Sequence, residues 1–310
     1  MNLFSSLPFL ESLAEVHFPG QPHALVDCEV EGSRYRLPKI GQRVITEWPF
    51  LDFFEPEHEP EKAQTVSPLS LKFLPHVVTA TVPAEGKKPD AVTPGLQPAP
   101  FIRWAAFPEW PAFETQLNQR RKQLLADTRR QTRHLSALGE LVFVYDDARP
   151  AAFETCARWK SAQYMATGIP DKFFQDNLEL FRALQRKGVL VVSTLSVGEK
   201  IVAAHIGACW EGRFYYWIPA YDSDHGKLSP GRVLLMSLLK ECHARGHREF
   251  DFLLGDEDYK WHYATDCRVV GPVGQPPMSL TLKKRFRGQA KRALSRFPRL
   301  LALAKKWFRA

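Results

Sequence analysis

Side chains that can move protons or hold charge crowd one short stretch, from Gly255 to Lys260. A carboxylate whose pKa is raised by burial or by a second carboxylate can serve as a general base. We predict that role for Asp256, with Glu257 beside it. Tyr259 can donate a proton or orient a substrate, and Lys260 can pair with an acid or a phosphate. A solvated acidic turn is the alternative on composition alone.

A second candidate site lies at Ser229-Pro230-Gly231-Arg232, before a predicted helix. Unpaired N–H groups and the positive end of the dipole favour anions at a helix start. Gly231 permits close approach to the backbone, while Ser229 and Arg232 add a hydroxyl and a guanidinium. These residues predict a site for the phosphates of a donor. The alternative is an N-cap serine followed by a surface arginine.

Aromatic side chains lie within and just after the last strand before this helix. Tyr216, Trp217 and Tyr221 are candidates for lining an acceptor pocket, with packing in the core as the default alternative. His205 lies among small and apolar residues within a strand, and we expect a structural role for it.

Composition excludes several classes of protein. The five cysteines are scattered without paired spacing, so neither a disulfide scaffold nor a metal site is expected. The first 18 residues lack a basic region, and no apolar run reaches the roughly 18 residues needed to span a bilayer. We expect a cytoplasmic protein.

The net charge of +8 is concentrated at the carboxyl end. Residues 283–310 carry eleven Lys/Arg and no acid, and subtracting these from the total leaves −3 for the rest of the chain. Because the tail also carries leucines and aromatic residues, it could contact an anionic membrane surface, RNA or its own domain. A predicted helix over 111–138 has an arginine-rich face, which is either solvated or in contact with a polyanion.

The elements that must position these residues follow from hydrophobic periodicity. Residues 24–30 and 35–40 predict a hairpin, and the Pro-rich stretch 83–100 predicts a loop. From Leu141 the predicted order is β, α, α, β, β, β, α, β, which indicates an α/β sheet with an antiparallel arm and one helical crossover. The last strand, 249–254, delivers the acidic loop to its carboxyl end, where ligands collect in such sheets.

Several local motifs agree with this order. They are Ala203-Ala204, Tyr221-Asp222, Ser229-Pro230-Gly231-Arg232 with Leu234-Leu235, Gly246, and Phe250-Asp251-Phe252 leading into Gly255-Asp256-Glu257 and Tyr259-Lys260. Together they resemble the GCN5-related N-acetyltransferase (GNAT) fold and, within it, the CelD-type group often found with bacterial exopolysaccharide or cellulose genes. That group is similar to the Fem-type aminoacyl transferases, which carry two tandem GNAT-like modules.

The resemblance implies a mixed, largely antiparallel central sheet flanked by helices. It predicts a degenerate first module over 1–107, which includes the loop 83–100. An acyltransferase module over 108–279 and a basic amphipathic tail over 280–310 would follow. It also implies direct transfer of an acyl group from acetyl-CoA or another acyl-CoA to a small amine acceptor, such as an amino sugar or cell-surface precursor, in polysaccharide biosynthesis.

One departure from the family keeps two alternatives open. The family's pyrophosphate loop has several closely spaced glycines, whereas Gly231 stands alone here. A Fem-like ligase that takes its aminoacyl group from charged tRNA is therefore the second enzyme hypothesis. A catalytically silent GNAT-like scaffold, held at the inner face of a membrane by the tail, is the third.

Overall fold

The computed structural model describes residues 2–57, 67–168 and 171–278. The basic tail predicted over 280–310 lies outside the described residues, so its membrane and RNA hypotheses stay predictions. None of the described helices is long and apolar enough to cross a membrane.

The amino-terminal part forms a helix and a small sheet. Helix α1 (Leu7–His17) begins after Ser6, whose hydroxyl accepts a hydrogen bond from Phe9 N. The predicted hairpin is confirmed, because β1 pairs with β2 in antiparallel register from end to end. The small sheet has the order β3-β2-β1-β4, from strands β1 (His23–Val30), β2 (Ser33–Ile40), β3 (Arg43–Val44) and β4 (Leu69–Ser70).

Two further strands precede the predicted helix: β5 (Phe73–Pro83) and β6 (Gln97–Arg103). The prediction of a loop through residue 100 is therefore wrong for its last four residues. Pro98 and Pro100 lie within β6, where their carbonyls accept hydrogen bonds from Gly255 N and Phe252 N. On that side the neighbouring strand has already ended, so the missing proline N–H groups remove no ladder bond.

The predicted single helix over 111–138 is two helices, α2 (Trp110–Arg120) and α3 (Lys122–Ser136). The break is at Arg121, whose φ of −144° and ψ of 71° are not helical. Because the chain turns there, Leu117 of α2 and Leu125 of α3 are both buried in one apolar cluster.

The remaining elements follow the predicted order, with three additions: the short helices α5 and α8 and the last strand, β12. They are β7 (Leu141–Val144), α4 (Pro150–Thr167), α5 (Lys172–Gln175), α6 (Leu178–Arg186), β8 (Leu190–Val197), β9 (Lys200–Trp210), β10 (Arg213–Tyr221), α7 (Pro230–Ala244), β11 (Glu249–Asp251), α8 (Asp258–Tyr263) and β12 (Asp266–Gly274).

The main sheet has eight strands in the order β5-β12-β6-β11-β10-β9-β8-β7. Its pairs are antiparallel except β10 with β11, which are parallel. Helices α1, α4 and α6 cover one face, while α2, α3 and α7 cover the other. This mixed, largely antiparallel sheet flanked by helices confirms the predicted fold class. Strands β5 and β6 belong to this sheet although they precede residue 107, and the division into modules there stays a prediction.

Candidate functional site

The two parallel strands of the main sheet separate at one point. Strand β10 pairs with β11 only from Arg213 to Tyr215, opposite Glu249 to Asp251. Beyond that point β10 continues along β9 to Tyr221, whereas the chain after Asp251 leaves the sheet as a loop towards α8. We call the region between 216–221 and 252–257 the split. In sheets of this kind, ligands bind in the crevice where neighbouring strands separate at their carboxyl ends.

A β-bulge shapes the split from the β10 side. The register shifts by one residue between Tyr215 and Ile218, opposite Gly207. The N–H of Trp217, within the bulge, donates to His205 Nε2 at 3.1 Å. A Cβ at Gly207 would lie 2.4 Å from His205 Cε1 and 2.6 Å from Tyr215 O, so glycine is required there.

His205 therefore has the structural role expected from its position. Because Nε2 accepts from a backbone N–H, the imidazole must be neutral at that nitrogen. Burial lowers its pKa to about 3, and the charge of Lys160 adds to that effect. The imidazole ring stacks on the ring of Tyr216, with the two ring centroids 4.3 Å apart.

The three predicted pocket aromatics lie in different surroundings. Tyr216 is buried against His205 and Phe252, as the core-packing alternative proposed. Trp217 lies on the opposite face, with its ring 5.2 Å from that of Phe181. Tyr221 is 44% exposed and lies beside the start of α7. Tyr221 is thus the member of the three that is open to solvent.

The start of α7 offers a small anion cradle. Ser229 has a left-handed backbone, and its hydroxyl accepts from Arg232 Nη2 at 2.9 Å and makes no N-cap bond. Ser229 thus occupies the N-cap position of α7 without a side-chain capping bond. Pro230 lacks an N–H, and those of Arg232 and Val233 donate to Ser229 O. Of the backbone N–H groups in this turn, that of Gly231 donates to no acceptor among the described residues.

Basic side chains from three elements surround this turn. The pKa of His262 on α8 is lowered by burial and then by the nearby charges of Arg121, between α2 and α3, and of Arg232 on α7. Arg121 and Arg232 supply the positive field that the single free N–H cannot supply alone, whereas His262, with its lowered pKa, is neutral near pH 7. The structure thus brings together two of the predicted donor residues, Gly231 and Arg232, and adds Arg121 and His262.

The loop from Asp251 to Glu257 is fixed by side chains from several elements. Asp251 Oδ1 accepts from Leu253 N at 2.8 Å, where the backbone of Leu253 is left-handed with φ of 59°. Lys260 is buried, and its Nζ donates to Leu254 O at 2.8 Å and contacts Glu257 Oε2 at 2.9 Å. Lys260 therefore holds the loop as well as lying within the candidate site.

The surroundings of Asp256 do not favour the general-base role predicted for it. Its carboxylate contacts Lys88 Nζ at 2.5 Å and accepts from Trp261 Nε1 at 3.1 Å. The hydrogen bond to Lys88 lowers the pKa of Asp256, whereas a base near neutral pH needs a raised one. The observed role of Asp256 is to tie the loop before β6 to α8. Tyr259 is largely buried against Phe252, and burial raises its pKa above the ordinary value.

The structure shows a carboxylate at the split that sequence reasoning did not select. Asp52 Oδ2 accepts from Leu254 N at 2.9 Å. Burial raises its pKa to about 6, with Asp251 and Glu257 adding to the rise, while the Leu254 amide and Lys260 oppose it. Its signal in the sequence is an acid between Phe50 and the pair Phe53-Phe54, a composition typical of a buried carboxylate. Within the part of the chain that the structure describes, no group of His, Cys, Asp and Glu is arranged to hold a metal ion.

The family comparison covers this site. Residues 119–261 match the model of the acetyltransferase (GNAT) domain, which spans slightly less than half of the 310 residues. The matched segment contains the bulge of β10, the start of α7 and the loop to Trp261. The chain contains a GNAT-type acyltransferase domain. Its GNAT domain, 119–261, therefore holds every site residue predicted from the sequence, whereas Asp52 lies outside it.

Solved structures with related folds share little sequence with this chain. FemX is 9% identical with a TM-score of 0.46, over 88% of this chain and 90% of that one. L-PGS from Bacillus licheniformis is 11% identical with a TM-score of 0.45, over 91% and 95%. The C-terminal domain, DUF2156, of a protein designated a lysylphosphatidylglycerol synthetase from Agrobacterium fabrum is 11% identical with a TM-score of 0.40, over 66% and 67%. No curated protein sequence matches the chain.

Proposed function

We propose that the chain transfers an acyl group from a thioester donor, acetyl-CoA or another acyl-CoA, to the amine of a small acceptor at the split. The observation that carries this proposal is the separation of β10 from β11 beside the start of α7, within the matched GNAT domain. The acceptor class, an amino sugar or cell-surface precursor in polysaccharide biosynthesis, rests on the CelD-type resemblance. A cytoplasmic location belongs to the same proposal.

The donor's phosphates are assigned to the start of α7. Gly231 supplies a free N–H, and Arg232, Arg121 and His262 lie around it. Ser229 positions the guanidinium of Arg232 through a 2.9 Å hydrogen bond. A planar guanidinium can hold phosphate with two parallel bonds, which favours an arginine-lined site where backbone donors are few.

The acceptor is assigned to the opposite side of the split, towards α4. That side carries Trp217, the Leu254 peptide and the charged groups Asp52, Glu257 and Lys260. Attack on a thioester needs a neutral amine, so a carboxylate base on this side would support the reaction. The acid must hold a pKa near neutrality to take the proton and release it again.

A Fem-like transfer from aminoacyl-tRNA is the second candidate. The specific observation in its favour is the small cradle, since one free N–H at α7 is fewer than a coenzyme A pyrophosphate can use. Helix α3 also carries exposed arginines, of which Arg129 and Arg130 pair with Glu114 and Asp127. The tail over 280–310 is proposed to add contact with tRNA or an anionic membrane.

Calorimetric titration with acetyl-CoA and with aminoacyl-tRNA tests the donor. We expect acetyl-CoA to bind, and Arg232→Ala to weaken binding by roughly tenfold, as for loss of one charge-assisted hydrogen bond. Lys240→Ala is the control, because that exposed lysine lies at the other end of α7. Binding of aminoacyl-tRNA alone would favour the Fem-like reaction. Binding of neither donor would leave only the scaffold hypothesis.

Turnover is tested with a panel of amino sugars, amino acids and polyamines, with acetyl-CoA as donor and free thiol as the readout. We expect amino sugars to be acetylated fastest. Deletion of residues 280–310 tests the tail separately, through binding to vesicles that contain anionic lipid. Unchanged vesicle binding after the deletion would contradict a membrane role for the tail.

A further inference from the structure

Asp52 reaches the split from outside the GNAT domain. It lies between β3 and β4 in the chain, and its Oδ2 accepts from Leu254 N at 2.9 Å. The same peptide is held on its carbonyl side, because Lys260 Nζ donates to Leu254 O at 2.8 Å. Leu254, where the loop leaves the sheet, is therefore hydrogen-bonded through both its N–H and its carbonyl. The Asp52 carboxylate is fixed beside it.

One oxygen of Asp52 is available for chemistry. Its Oδ1 has no hydrogen-bond partner among the described residues, although the side chain is surrounded by protein and only partly exposed. The adjacent Phe53 and Phe54 are fully buried. A carboxylate held by one oxygen and free at the other is oriented to accept a proton.

Charged groups from α8, β11 and the loop between them act on Asp52. Lys260 on α8 favours the ionised form, while Asp251 on β11 and Glu257 in the loop oppose it. Lys160 on α4 is affected by Glu257 and Lys260, the same two groups that act on Asp52. The charges thus partly cancel, and burial leaves Asp52 with a pKa of about 6. A base works best when its pKa lies near the pH at which the enzyme operates.

Three other acids around the loop, Asp251, Asp256 and Glu257, are engaged. Asp256 is paired with Lys88, and Glu257 contacts Lys260. Asp251 is fully buried, accepts from Leu253 N and contacts Arg268 Nη1 at 3.2 Å. Of the four carboxylates at this end of the split, Asp52 combines a fixed position, a free oxygen and partial access.

We propose that Asp52 is the general base that deprotonates the acceptor amine, which rests on the proposed acyl transfer. Asp52 Oδ1 takes a proton from the acceptor ammonium, and the neutral nitrogen then attacks the thioester carbonyl carbon. A carbon–nitrogen bond forms and the carbon–sulfur bond breaks, with the electron pair leaving on sulfur. The second nitrogen proton ends on the departing thiolate, and Asp52 returns its proton to solvent. The amino-terminal region thereby completes the active site.

The variant Asp52→Asn tests this assignment, because asparagine can still accept from Leu254 N but is not a base. With acetyl-CoA and the fastest-acetylated amine of the panel, we expect kcat/KM to fall by roughly 10²- to 10⁴-fold. With hydroxylamine, which is already neutral near pH 7, transfer should be largely retained. Asp27→Asn, in the small sheet, is the matched control and should leave both rates unchanged.

The pH dependence of the wild type is the second measurement and does not depend on the variant. Below about pH 6, log kcat/KM should rise by one per pH unit as Asp52 ionises, and it should level off above that pH because the acceptor binds as its ammonium form. In Asp52→Asn the slope should be one throughout. A wild-type profile that rises by one per pH unit without levelling off above about pH 6, or equal losses with both acceptors, would overturn Asp52 as the base while leaving the acyl transfer intact. A wild type inactive towards every amine would overturn the acyl transfer itself, and the assignment of Asp52 with it.

Discussion

At the scale of single residues, the site depends on polar atoms buried at the bulge. Insertion of one residue into β10 leaves Trp217 N–H without a ladder partner, and an unpaired buried N–H is costly. His205 Nε2 provides the acceptor, and Gly207 provides the space for its ring. The histidine must remain uncharged to do so, which links the geometry of the split to pH.

The unfolding free energy should therefore fall in acid because of His205. Its pKa is lowered from 6.5 to about 3 in the folded state, so the unfolded chain binds a proton that the folded chain excludes between these values. The loss should be about 1.4 kcal/mol per pH unit as pH falls below 6.5. Urea unfolding at about pH 7 and about pH 5 measures it.

His205→Gln should remove this part of the pH dependence, because the glutamine carbonyl can accept from Trp217 N without titrating. The exposed His23 is the control, and His23→Gln should leave the dependence as it is. An identical slope for wild type and His205→Gln would show that His205 does not resist protonation.

At the scale of elements, a buried charge network joins the strands below the split. Arg213 on β10 and Arg268 on β12 contact Glu249 and Asp251 of β11, and both also contact Glu55 before β5. Asp251 in turn holds the left-handed Leu253. The network thus sets the direction in which the loop leaves the sheet.

Removing one cation should be costly at this position. Arg268→Met leaves the fully buried Asp251 with one of its two cations lost, so we expect a decrease of about 3–5 kcal/mol in the unfolding free energy. Arg103→Met is the control, since Arg103 is half exposed and pairs with Asp266 at 3.3 Å, and its loss should cost about 0–1 kcal/mol. Chemical denaturation compares the two, and equal effects would mean that burial adds nothing to the Arg268 contacts.

At the scale of the whole molecule, the amino-terminal part and the GNAT domain share one sheet. Strands β5 and β6 cover both edges of β12, and β6 also pairs with β11. Leu3 N donates to the hydroxyl of Tyr215, and α1 packs on α6. A domain that lacked these parts would expose the ladder edges of β11 and β12 and the apolar face beneath α1.

A fragment of residues 108–279 should consequently fail to unfold cooperatively in urea, in contrast to the whole chain. It would lack β5, β6 and Asp52 although it contains the entire GNAT match. The measurement is the urea transition followed by circular dichroism and by tryptophan fluorescence. A cooperative transition in the fragment would instead support the predicted division of the chain at residue 107.

Local patterns were sufficient for much of the main sheet. Alternating and continuous apolar runs predicted the strands from 141 to 251 and the helix after Gly231, because these segments form mainly local or adjacent pairings. The helix break at Arg121 and the entry of Pro98 and Pro100 into β6 were not predictable this way. Both depend on where distant strands begin and end.

The sequence alone determined the GNAT-like order of elements, the position of the helix start at Ser229 to Arg232 and the place of the acidic loop after β11. Only the tertiary structure decided which carboxylate at the split is free and which are paired. Asp256 lies 168 residues from Lys88 in the chain, and Asp52 lies 202 residues from Leu254. No local sequence pattern connects the members of either pair. A pKa depends on burial and on charges brought close in space, and neither can be read from neighbours along the chain.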